Sequence, residues 1–197
     1  MAINWNYPKP RKGMAGAIDK LFGPGATCAE VRLQTIPPVI AVIVSLLYAA
    51  WIDTGWSLVQ QVICAFLAFD ITGGIITNST SSAKRWFHRD GQGIKQHMTF
   101  ISVHLVHLIV VSWLFLSFDL TWIAVTSGYM LVAAYLIISS ALYLQRSIAM
   151  ILYVGSLLIT LYALEQPTGL EWFLPMFYIK LLLSHLPKEE PYRPLGE

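Results

Sequence analysis

Charge is scarce in this chain: Asp, Glu, Lys and Arg make up 12% of it, while 56% of the residues are apolar. That balance excludes an ordinary soluble domain and places the sequence among membrane proteins. Cysteine is nearly absent. Cys28 and Cys64 are the only two, and no metal-type spacing exists between them. Cys28 is expected in the cytoplasm and Cys64 within the bilayer, so a disulfide is not expected. Long polar stretches are missing too, which leaves no room for a soluble catalytic domain. No internal repeat supports an inverted-repeat transporter. The HExxH motif of zinc hydrolases does not occur.

Long apolar runs take up most of the chain. A helical span needs about 20 mostly apolar residues. Six stretches meet or approach this: 36–52, 57–78, 97–118, 120–142, 147–165 and 170–186. The expected fold is therefore all-α, a six-helix transmembrane bundle over 36–187. It follows an N-terminal segment, 1–35, and precedes a short tail, 188–197. The segment "SFDLTW" (117–122) is the turn between spans three and four. Met14, Ala17, Ile18, Leu21 and Phe22 recur at helical spacing before "GPG". They predict a short amphipathic helix on the membrane surface, the alternative being a helix packed under the bundle. The basic N-terminus lacks the apolar core and cleavage site of a signal peptide.

Charge asymmetry orients the bundle. Lys9, Arg11, Lys12, Lys20 and Arg32 precede span one, and Lys84, Arg85, Arg89 and Lys95 separate spans two and three. Arg146 precedes span five, and Lys188 and Arg193 follow span six. The alternate loops carry Asp53, Asp119, Glu165 and Glu171 without Lys or Arg. Basic loops remain cytoplasmic, so both termini are expected there. Trp51, Trp56, Trp122 and Trp172 then form an outer aromatic belt, with Trp86 at the inner interface. The sequon at Asn78 falls on the cytoplasmic side and is discounted. The expected location is the cell membrane as a multi-pass protein, the inner membrane in a bacterium.

Span two carries a polar stripe. Asp70, Gly74, Thr77, Ser81 and Lys84 follow at three- and four-residue steps and share one helix face. A carboxylate within a span costs about 2.5–3.5 kcal/mol on insertion scales, which a mere contact face does not require. Gly73 and Gly74 permit close approach of a neighbouring helix. Span three answers with His97, His104 and His107 in "HMTFISVHLVH". Seven residues separate His97 from His104, so they point within about 20° of each other. Folding the two spans as an antiparallel hairpin about "DGQG" puts Asp70 about 21 Å and His107 about 18 Å from the inner interface. These two are expected to meet, with His104 facing the glycine pair and His97 facing Thr80. In span six, Lys180 either snorkels to the headgroups or turns inward as the counter-ion of Asp70. His185 lies near its end.

Imidazole and carboxylate suit zinc or iron. One expectation is thus a metal-dependent hydrolase of a lipid or other hydrophobic substrate. Asp70, His104 and His107 would be its catalytic residues, and Asp70, His97, His104, His107 and His185 its candidate divalent-metal ligands. Lys84, Arg85, His88, Arg89 and Lys180 are candidate headgroup-binding residues. Read simply as a topology signal, the basic loop needs no substrate. A different class of function is proton-coupled or metal-ion transport along the Asp/His ladder, because histidine titrates near neutral pH. A structural or haem-binding subunit is the third. The expected partners are membrane lipids and a second copy of the chain, with no nucleic acid.

Overall fold

The computed structural model describes residues 2–193; the last four residues of the tail, 194–197, lie outside the described residues. Among the described residues the regular structure is all helical apart from one two-residue ladder, Ala2–Ile3 against Tyr192–Arg193. The elements are β1 (Ala2–Ile3), α1 (Gly13–Phe22), α2 (Cys28–Trp51), α3 (Leu58–Ser79), α4 (Ser81–Phe87), α5 (Ile94–Val103), α6 (Leu105–Phe115), α7 (Leu120–Ser139), α8 (Leu142–Tyr162), α9 (Phe173–Tyr178, continuing as a π-helix over Ile179–His185) and β2 (Tyr192–Arg193). Among the described residues, five helices are long and apolar enough to cross a membrane: α2, α3, the continuous pair α5–α6 (Ile94–Phe115), α7 and α8. The sixth apolar stretch forms a shorter helix, Phe173–His185. These features are those of a multi-pass membrane protein.

Local chemistry sets the helix ends. Thr27 caps α2 through a reciprocal bond pair with Glu30, so this helix begins about two turns before the expected span at 36. It runs through Pro37 and Pro38. Ser57 and Gln60 form the same kind of box on α3. Asp119 caps α7 by accepting from the Trp122 N–H at 2.9 Å. Ser117 and Phe118 adopt positive φ in the tight turn before it, where the sequence places one. Helix α8 starts at Leu142, so Arg146 rides on its first turns and not in a loop. The loop expected over 79–96 contains α4.

The exterior of the bundle is apolar. On α2, Ile36, Ile40, Ile43, Leu47 and Trp51 form an exposed stripe, and on α3 Val59, Val62, Phe66 and Phe69 do the same. Water would not tolerate such continuous apolar faces; acyl chains do. Inside, α9 and its π-helical extension bury most of their surface, with Pro175, Met176, Ile179 and Leu183 half-buried along one side. Phe173, Phe177, Tyr178, Leu181 and Leu182 lie at the centre of the core. Gly169, just before α9, packs on Trp56 at one end of the bundle. At the other end Lys84 donates to the carbonyls of Ser184 and Pro187, each at 2.7 Å. That second end also carries the paired strands β1 and β2.

Candidate functional site

All five histidines of the chain converge on one column between α3, α5–α6 and the buried last helix. Its inner part is built on Asp70. His107 Nε2–H donates to Asp70 Oδ2 at 3.0 Å, and Lys180 Nζ donates to the same oxygen at 2.6 Å. Asp70 and His107 thus meet as their matched depths require. Lys180 turns inward and does not snorkel. Its side chain is only 3% exposed, while that of Asp70 is 33% exposed. Gly74 makes the contact possible: a Cβ there would lie 2.3 Å from Lys180 Cε.

His104 stacks on His107, with ring centroids 5.1 Å apart and planes 13° apart. It does not face the glycine pair as expected, because Gly74 lies against Lys180 and Gly73 against the Pro38 ring. His104 donates from Nδ1 to the Phe100 carbonyl at 2.8 Å. The helix tightens at this point, where the His104 N–H bonds Ile101 and the His107 N–H bonds His104. That tightening brings the two imidazoles face to face.

The outer part is a directional hydrogen-bond chain. Asn78 donates from Nδ2 to the Gly74 carbonyl at 2.8 Å, which leaves its Oδ1 to accept from His185 Nδ1 at 3.1 Å. His185 Nε2 is then the acceptor for the Nδ1–H of His97, also at 3.1 Å. His97 therefore meets His185, not Thr80. His88 stacks on His97 at 4.8 Å and donates from Nε2 to the His185 carbonyl at 2.9 Å. The Phe100 ring joins the two parts, 4.0 Å from His185 and 4.6 Å from His104.

The π-helix explains why Lys180 and His185 share this column. In an α-helix a five-residue separation turns the two side chains about 140° apart. Bonding from i to i+5 places them one above the other.

Among the basic candidates, Lys84 and His88 hold the end of the last helix. Burial pushes the Lys84 ammonium down to about 8, against the opposing pull of Glu189 and with a smaller contribution from Arg146. Burial, then the charge of Lys84, pushes the His88 imidazole down to about 3, so it stays neutral and keeps its donor role. Arg85 is buried beside them. Arg89 lies over the Trp86 ring, 3.7 Å from its centroid, and donates to the Trp86 carbonyl. Among the described residues no three of His, Cys, Asp and Glu converge as a metal centre would require. Asn78 and Phe100 belong to the column without having been expected there. Asn78 falls four residues after Gly74, on the polar stripe, and that spacing was its signal.

No protein family, curated protein or solved structure matches the chain.

Proposed function

We propose that this is a proton-coupled membrane transport protein whose coupling site is Asp70, shared between Lys180 and His107. The observation that carries the reading is that ammonium and imidazole both donate to one carboxylate oxygen inside a membrane helix. An ion pair in a poorly screened interior is strong while both members are charged. A proton delivered to Asp70 breaks it and frees Lys180. The histidine column leads from this switch towards the basic end of the bundle, through ring contacts and hydrogen bonds from His107 and His104 to His185 and His97. The reading takes the bundle as six crossings with both termini in the cytoplasm. It places α1 on the inner membrane surface, where Met14, Ile18 and Leu21 stand exposed.

The donor set favours protons over a divalent metal. Lys180 Nζ already occupies the cation position on Asp70, both ring nitrogens of His185 are engaged, and among the described residues no three possible ligands converge. A second reading, an acid–base enzyme acting on a lipid, is supported by one feature. His107 is oriented by Asp70 through Nε2, and its buried Nδ1 has no hydrogen-bond partner among the described residues. This is how a general base is held.

Purified protein in liposomes loaded with a pH-sensitive dye tests the proposal. Under an imposed potential the wild type should acidify the lumen faster than empty liposomes, and Asp70→Asn should slow it at least tenfold. Wild-type traces that match empty liposomes would remove the transport reading. About one equivalent of zinc or iron retained through chelator dialysis would restore the metalloenzyme.

A further inference from the structure

A cleft of about 300 Å³ opens beside the outer end of the histidine column. We propose that it binds a phosphate group, with Arg89, Gln92, Gln96 and His97 as ligands, independently of the switch at Asp70. The volume is at the small end of ligand sites and suits a headgroup or a small phosphate ester. Arg89 is positioned by its stacking on Trp86 and spends one N–H on the Trp86 carbonyl. The rest of its planar donor fork stays available, and that fork matches phosphate oxygens. Gln96 accepts the Gly93 N–H with Oε1 at 3.0 Å, so its amide NH₂ is left as a donor. Gln92 adds a second amide. His97 forms the back of the cleft at 7% exposure. With Nδ1 engaged by His185, its Nε2 is left to accept a hydroxyl donated by the ligand.

Two further features favour negative charge. The cleft lies at the start of α5, where unpaired backbone N–H groups and the helix dipole attract anions. No Asp or Glu is among the described residues that line it. Trp86 and Phe100 give it apolar walls, as a site at the membrane interface needs.

Two sources of phosphate fit this chemistry, a phospholipid headgroup and a soluble phosphate ester. Calorimetric titration of the full chain in a non-ionic detergent separates them, using inorganic phosphate in one arm and phosphatidylglycerol in the other. Binding in the first arm identifies a soluble ligand, and binding confined to the second identifies a lipid. In either case Arg89→Gln and His97→Asn should each weaken binding at least tenfold. Asparagine keeps a donor near the Nδ1 position while removing Nε2. Gln92→Leu is the second probe if Arg89→Gln fails to fold. Binding is read by calorimetry and proton flux in liposomes, both on the wild type, so failure of this site and failure of the proton switch can be told apart. The proposal is overturned if neither probe binds, or if the folded cleft variants bind as the wild type does.

Discussion

Lys180 and Asp70, 110 residues apart in sequence, meet at 2.6 Å inside the bundle. The lysine is the more buried of the two, so it depends on the pair more than the carboxylate does. Asp70→Asn should destabilise the protein by about 3–5 kcal/mol, because a buried ammonium loses its counter-charge. Lys180→Met should cost less, since Asp70 keeps His107 and some exposure. The double variant should recover most of the Asp70→Asn loss. Unfolding free energies in mixed micelles read this cycle, and strictly additive losses would show that the two side chains do not interact.

Gly74 is required by the same contact. Gly74→Ala places a methyl group 2.3 Å from Lys180 Cε, and the ammonium must leave Asp70 to make room. The substitution should lower the unfolding temperature clearly in the wild-type background and hardly at all beside Lys180→Ala. Equal effects in both backgrounds would mean that Gly74 serves another contact.

Acid should loosen, through His88, the end of the bundle that carries β1 and β2. Its pKa is about 3 when folded, against an ordinary value of 6.5. Between these values the unfolded chain binds the proton and the folded one resists it. The contribution is fully present above pH 6.5 and declines as pH falls towards 3, by on the order of 5 kcal/mol in all. His88→Gln keeps a donor for the His185 carbonyl without titrating, so its stability should fall less steeply between pH 6.5 and 4. Identical slopes for variant and wild type would contradict this origin.

Single cysteines test the orientation. In a background with Cys28 and Cys64 replaced, Thr54→Cys and Thr168→Cys should both react with a membrane-impermeant maleimide added outside intact cells. Thr54 is adjacent to Gly169, so the two sites share one end of the bundle. Protection of both, with labelling only after lysis, would invert the topology.

Helix periodicity and charge in the sequence by themselves determined a great deal: the all-helical membrane class, the turn at Ser117–Phe118, and the encounter of Asp70 with His107. Each depends only on neighbours along one helix or on two helices joined by a short loop, where rise and turn per residue suffice. The length of the last helix was less legible: the stretch 170–186 forms a helix of only 13 residues, Phe173–His185, because burial in protein and in lipid both select apolar residues and composition alone does not fix length. Only the tertiary structure decided that Lys180 turns inward, that His185 joins His97 and Asn78, and that Gly74 accommodates a lysine and not a histidine. All three involve the last helix, whose π-helical winding over Ile179–His185 turns side chains away from their α-helical directions. That winding is set by what packs around the last helix, and no local pattern in the sequence encodes it.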